Sequence, residues 1–202
     1  MQHRVAKSRI MRLRRMARIL IILALSFGAL KAGPVRFDLT DTNGARHTAE
    51  EWRAKKAVVL FFTMTDCPLA NGYVPEMNRM RAAYEARGVA FYAVQADNTV
   101  SDAAVKKYAQ EFQYSFPMLN DTRFTLARLT GAKVTPEVAV LSPTGEVLYL
   151  GRIDNKVEDL THPRYAATEP ELRNALDAVL AGKAPKEAKT RAVGCSINLE
   201  SK

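Results

Sequence analysis

The chain contains only two cysteines, and the first of them, Cys67, stands where a thiol can become reactive. It comes shortly after the apolar run AVVLFF at 57–62, and Pro68 follows it. Such a run is typical of a strand buried on both faces, so we predict Cys67 at the carboxyl end of a strand, close to a helix start. A helix N-terminus stabilises a thiolate through its unpaired amides and its dipole. The alternative is an inert, buried cysteine.

Strands and helices alternate along the rest of the chain. Apolar patterns predict helices over 75–86, from Ser101 onward, over 124–129 and over 170–180, and strands over 35–39, 57–62, 89–96, 116–119, 137–142 and 146–151. The last two strands flank Pro143-Thr144-Gly145, which indicates a hairpin. This order predicts an α/β fold, with a mixed central sheet and helices on both faces.

The formal charge of +9 is concentrated at the N-terminus. Residues 1–32 carry eight basic side chains and no acid, whereas the remainder is almost balanced, which argues against a nucleic-acid partner. The basic segment precedes an apolar run at 19–30 and two small residues, the pattern of an export signal or of an uncleaved membrane anchor. We therefore predict an exported, periplasmic or otherwise extracytoplasmic protein, with a folded domain over 33–182 and a tail over 183–202.

Several segments resemble the thioredoxin-fold redoxins, which include the alkyl hydroperoxide reductase/thiol-specific antioxidant proteins and periplasmic thioredoxin-like proteins. They are DCPLANGYVPE at 66–76, FPMLND at 116–121 and GAKVTPEVAVLSPTGEVLYLGRID at 131–154, in the matching element order. The resemblance covers about residues 35–180 and implies a thioredoxin-like fold and thiol redox activity. It also implies that Pro136, after Thr135, is a cis-proline packed against the reactive cysteine, with Pro68 beside that cysteine.

The chain departs from this family pattern around the cysteine. Met64 replaces both the first cysteine of the thioredoxin CxxC motif and the peroxide-binding Thr or Ser of the peroxiredoxins. Thr63 and Thr65 lie next to it, and Arg152 is a candidate for the arginine that peroxiredoxins place near the thiolate. The segment LANGYV at 69–74 is interpreted as a loop insertion, with the helix beginning near Pro75.

The second cysteine, Cys195, lies in the C-terminal tail. In an exported chain with two cysteines, we expect the two to meet. Two interpretations remain open. Cys195 is either a resolving thiol for Cys67, carried on a mobile tail and joined to it by a readily reduced bond, or one half of a permanent structural disulfide.

These observations predict an exported thiol oxidoreductase whose Cys67 attacks a peroxide or a protein disulfide. An external thiol would reduce it, and no cofactor or metal is expected. The alternatives are a non-enzymatic thioredoxin-fold module and a copper-handling protein that uses Met64 and Cys67 as soft ligands. The three histidines, His3, His47 and His162, are too scattered along the chain to indicate a metal site.

Overall fold

The computed structural model describes residues 35–159 and 164–200. Within them lie helices α1 (Pro68–Tyr84), α2 (Asp102–Glu111), α3 (Thr125–Thr130) and α4 (Glu171–Leu180), and strands β1 (Asp38–Thr40), β2 (Arg46–Thr48), β3 (Ala57–Thr63), β4 (Val89–Gln95), β5 (Met118–Asn120), β6 (Val134–Thr135), β7 (Glu137–Leu141), β8 (Val147–Gly151) and β9 (Cys195–Ser196). The predicted export signal or anchor, and His162, lie outside the described residues. None of the described helices is long and apolar enough to cross a bilayer.

The central sheet has five strands in the order β5-β4-β3-β7-β8. Strand β3 runs parallel to β4 and antiparallel to β7, so the sheet is mixed, as predicted. Strands β7 and β8 form the predicted antiparallel hairpin. Every residue of β3 is buried, which explains why its sequence is apolar at successive positions.

Alternate residues of β3 enter two separate cores. Val59 and Phe61 pack on one face with residues of α1, α2 and α4. Leu60 and Phe62 pack on the other face with α3 and with Trp52 of the 3-10 helix Ala49–Ala54. The prediction of helices on both faces of the sheet is confirmed.

Helix α1 begins at Pro68, so the prediction of a loop insertion before Pro75 is wrong. Proline is compatible with the first helical turn, where its missing N–H would have had no intrahelical partner. Pro75 instead lies inside the helix. The helix continues through it because Ala70, Val74 and Met77 form one buried face at helical spacing, and this packing outweighs the unfavourable proline.

Smaller differences between the predicted and the observed elements also have local causes. Phe112, which lies at the helical spacing of Val105 and Tyr108, follows the end of α2 and is 37% exposed. Ser101 caps α2 as predicted, by accepting the Ala104 N–H at 3.4 Å. Strands β2, β6 and β9 were not predicted, because two or three residues are too short to show a period of two.

Helix α3 is held by a buried carboxylate. Asp121 accepts the backbone N–H groups of Thr125 at 2.7 Å, Leu126 at 2.8 Å and Ala127 at 3.2 Å. Burial raises the pKa of Asp121 to about 6, against the opposing effect of these amide hydrogen bonds. The helix ends at Gly131, three residues before β6, so Asp121 helps to position the segment that leads to Pro136.

Asp121 predicts a specific pH dependence of stability. Its pKa is higher in the folded chain than the unfolded value of ~3.9, so the free energy of unfolding should fall as the pH rises from about 4 to about 6. The loss is up to about 3 kcal/mol and is complete above that range. Urea unfolding of the wild type, Asp121→Asn and the exposed control Asp66→Asn at pH 4 and pH 7 measures it. A wild type that gains stability over Asp121→Asn as the pH rises would contradict the prediction.

Candidate active site

Cys67 is the residue that immediately precedes α1. Its backbone is extended, with φ −94° and ψ 100°, and its carbonyl accepts the Asn71 N–H at 3.0 Å. Its own N–H donates to the Met64 carbonyl at 3.2 Å, which closes the turn between β3 and the helix. The side chain of Cys67 is 0% exposed and belongs to the core on the α1 side of the sheet. The sulfur is thus placed at the N-terminal end of a 17-residue helix dipole.

Cys67 forms a disulfide with Cys195, which is 128 residues away in the chain. The Cα atoms of the two residues are 6.1 Å apart. The Cys67 sulfur also lies 3.0 Å from the carbonyl oxygen of Thr135, and in the reduced protein a thiol proton there could be donated to that oxygen. Two distant segments therefore converge on the start of α1: the Thr135 region and the tail.

The peptide bond between Thr135 and Pro136 is cis, as the resemblance implied. Thr135 is fully buried and pairs with Cys195 in the antiparallel ladder of β6 and β9. Its side-chain hydroxyl has no hydrogen-bond partner among the described residues. The structure thus brings Cys67, Cys195, Thr135 and Pro136 together, with Pro68 adjacent at the first position of α1.

The tail is docked along two strands, so the expectation of a mobile tail is not met. It first follows the edge strand β8: Leu150 donates to the Ala188 carbonyl at 3.0 Å, and Thr190 donates to the Leu150 carbonyl at 3.1 Å. The Thr190 hydroxyl lies 2.7 Å from the Tyr149 hydroxyl and accepts the Arg152 N–H at 3.1 Å. These bonds hold the tail before it reaches the cysteine.

Beyond Cys195 the tail is held again. The Ile197 N–H donates to the Lys133 carbonyl at 2.8 Å, and the Ile197 side chain is buried in the core on the α3 side. The Arg128 guanidinium donates to the Leu199 carbonyl at 2.7 Å. Cys195, Ile197 and Leu199 alternate with polar residues, so a period of two was visible in the sequence and could have indicated this docked segment.

Gly194 lets the tail approach closely. A Cβ atom at this position would overlap the Thr135 carbonyl oxygen and lie 2.6 Å from its carbonyl carbon. Gly151 likewise allows Thr190 of the tail to approach β8, because a Cβ at Gly151 would overlap Thr190. Sequence analysis assigned a role to neither glycine.

The two threonines near Met64 differ in their surroundings, and the hydroxyl of Thr63 is engaged by tyrosines. The Thr63 hydroxyl lies 2.9 Å from that of Tyr108 and 3.1 Å from that of Tyr114, and Tyr108 donates to Asn71 at 2.7 Å. Burial raises the pKa of both tyrosines, so they stay protonated in this network. Thr65 lies half-buried in the turn before Cys67.

Arg152 is engaged by acidic side chains. Its guanidinium pairs with Glu171, with Glu169 at 3.4 Å and with Glu158 at 3.5 Å. Its positive charge is therefore balanced by three carboxylates. Among the described residues, no group of three His, Cys, Asp or Glu side chains could hold a metal ion.

The arrangement defines a class of protein. Solved structures with this fold include a putative thiol:disulfide interchange protein DsbE from Chlorobium tepidum, which is 21% identical, has a TM-score of 0.55 and covers 77% of this chain and 98% of its own. An uncharacterized conserved protein from Geobacillus kaustophilus is 27% identical, has a TM-score of 0.73 and covers 88% and 95%. The chain has a thioredoxin-like fold with one disulfide at the start of α1.

The family follows from the sequence match. Residues 32–150, more than half of the chain, match the AhpC/TSA family, so the chain belongs to that family. The thiol-disulfide oxidoreductase ResA of Bacillus thuringiensis subsp. konkukian is 28% identical over 112 residues. That match covers 55% of this chain and 63% of the relative. Cys195 lies beyond the residues that the family model matches.

The close approach at Gly194 predicts that Gly194→Ala weakens the disulfide. The added methyl group must displace the tail from the Thr135–Pro136 peptide, which costs roughly 1–3 kcal/mol as overpacking. We expect the reduction potential of the Cys67–Cys195 pair to rise by about 30 mV or more. Thiol trapping in graded redox buffers measures this shift. Gly72→Ala is the matched control, because a Cβ there meets nothing within 4 Å. An unchanged potential in Gly194→Ala would contradict the prediction.

Proposed function

We propose that the protein is an exported thiol–disulfide oxidoreductase that exchanges the Cys67–Cys195 disulfide with thiols or disulfides of partner proteins. The observation that carries the proposal is the position of this bond, at the N-terminal end of α1 and against the Thr135 carbonyl. A thiolate released at Cys67 would be stabilised by the helix dipole and by the first-turn amides, which makes it a good leaving group. Membership of the AhpC/TSA family and similarity to a ResA oxidoreductase support the same chemistry.

Disulfide exchange fits the site better than peroxide reduction does. Peroxide chemistry would need a hydroxyl and a cation free to orient the oxygens beside the sulfur. Thr63 is bound to two tyrosines, and Arg152 is bound to three glutamates. Met64, which occupies the position of the family hydroxyl, supplies neither a hydrogen-bond donor nor a charge.

The partners and the compartment follow from the chemistry and from the N-terminal pattern. Exchange requires a protein disulfide as substrate and an external thiol as reductant. A disulfide persists in an oxidising compartment outside the cytoplasm, and the basic and apolar segments of residues 1–32 are typical of an export signal. The apolar run at 19–30 would serve as a membrane anchor if it is not cleaved.

The proposal predicts an exchange-active disulfide. We expect the purified full-length chain to show a reduction potential above about −300 mV and to remain folded when reduced. It should also catalyse reduction of a fluorescent glutathione disulfide by dithiothreitol, and both Cys67→Ser and Cys195→Ser should lose this turnover. Ser196→Ala is the control, because Ser196 is exposed and its ladder contacts are made by the backbone.

A purely structural disulfide is the competing function, and the burial of Cys67 together with the docked tail favours it. Closing a loop of 128 residues would stabilise the fold by about 5 kcal/mol in the chain-entropy model. A potential below about −300 mV, with unfolding on reduction and no turnover, would establish that function and overturn the proposed one.

The site also predicts slow reaction with peroxide. In stopped-flow measurements, the reduced protein should be oxidised by hydrogen peroxide no faster than free glutathione at the same pH. The reason is that the Thr63 hydroxyl is bound to two tyrosines and the Arg152 guanidinium to three glutamates, so neither group is free to orient the peroxide. Rapid oxidation that Cys67→Ser abolishes, with formation of the Cys67–Cys195 bond, would instead show a peroxidase.

A further inference from the structure

The two cysteines of the disulfide differ in burial. Cys67 is 0% exposed, and its core neighbours include Met64 and Ala70. Cys195 is partly exposed and is followed by the exposed Ser196 on a two-residue strand. Cys67 is thus enclosed, whereas Cys195 on the tail is only partly buried.

This difference decides which sulfur an incoming thiolate can reach. In thiol–disulfide exchange the thiolate attacks one sulfur along the extension of the S–S bond, and the other sulfur leaves. Attack on Cys67 would have to come from the side opposite Cys195, and the whole of Cys67 is buried. Attack on Cys195 comes from the side opposite Cys67, and Cys195 is only partly buried.

We propose that Cys195, on the docked tail, is the catalytic cysteine that bonds to the partner, and that the buried Cys67 is the leaving and resolving thiol. This assignment rests on the proposed function and reverses the roles that the sequence predicted for the two cysteines. It gives the tail strand β9 a direct part in catalysis, although it lies beyond the residues that the family model matches.

The electrons and protons balance in each direction. To reduce the protein, a partner thiolate attacks the Cys195 sulfur, a partner–Cys195 bond forms, and the S–S electron pair leaves on Cys67, which takes up a proton. A second partner thiolate then attacks the partner sulfur of this mixed disulfide, and Cys195 leaves as a thiolate and takes up the second proton. Two partner thiols have become one disulfide, and the protein has gained two electrons and two protons. Oxidation of the protein by a partner disulfide follows the same steps in reverse.

The ladder with β6 explains how Cys195 and Cys67 stay together through these steps. Thr135 pairs with Cys195 and its carbonyl lies 3.0 Å from the Cys67 sulfur, so one residue contacts both cysteines. The bonds at Thr190 and Ile197 hold the tail on either side of Cys195 and do not involve the disulfide. The Cys67 thiol therefore remains beside the mixed disulfide that it must resolve.

Single-cysteine variants of the full-length chain test the assignment. Each reduced variant is mixed with glutathione disulfide, and formation of the mixed disulfide is followed by intact mass. Cys67→Ser, which keeps Cys195, should react at least about tenfold faster than Cys195→Ser, which keeps only the buried thiol. The triple variant Cys67→Ser/Cys195→Ser/Ser196→Cys provides the rate of an exposed thiol at the next position of the same strand. We expect Cys195 to react within about tenfold of that reference.

A measurement on the wild type tests the assignment without any substitution that could displace the tail. The oxidised chain is reduced with limiting glutathione and quenched with acid, and the glutathione adduct is located by peptide mapping. Adduct on Cys195 supports the proposal. Adduct mainly on Cys67, or equal or faster reaction of Cys195→Ser, would overturn it while leaving the proposed exchange activity intact. Absence of any exchange in the wild type would refute the proposed function itself, and the role assignment with it.

Discussion

The candidate site depends on a short antiparallel pairing between two strands of two residues each. Val134 and Thr135 of β6 pair with Ser196 and Cys195 of β9, and this contact brings a tail cysteine to the start of α1. So short a ladder is weak by itself. It is supported on one side by the cis bond and buried side chain of Thr135, and on the other by the tail contacts with β8 and with Lys133.

The rest of the fold supplies a fixed frame for this contact. Strand β3 is buried along its whole length and ends at Thr63, four residues before Cys67. Helix α1 begins at Pro68, directly after Cys67, because proline suits a first helical turn. The buried face of the helix fixes its direction on the sheet. On the other face, the buried Asp121 holds α3, from which the chain leads to β6. The disulfide is thus placed where the two cores of the same sheet meet the tail.

The central strands follow from patterns that the sequence displays clearly. The runs of β3 and β4 are apolar throughout, and such runs identify buried strands without tertiary information. The start of α1 was misplaced because Pro75 resembles a helix start, and only packing reveals that Ala70 and Val74 already belong to the buried face. The tail was misjudged for a different reason. The alternation of Cys195, Ile197 and Leu199 indicated a docked segment, but its partners, such as Lys133 for the Ile197 N–H, are far apart in sequence and leave no trace in residue types. The resemblance correctly placed Pro136 as cis but could not assign Cys195, which lies outside the matched region.

The separation of the two cysteines has a consequence for biogenesis. A ribosome completes Cys195 only after the whole central sheet, from β3 to β8, has been synthesised, since 128 residues separate it from Cys67. During translation the nascent domain therefore carries one of the two cysteines until the tail is made. The Cys67–Cys195 disulfide can form only once β9, which carries Cys195, has docked. Until the tail is synthesised, Cys67 has no second cysteine of the same chain with which to form a disulfide.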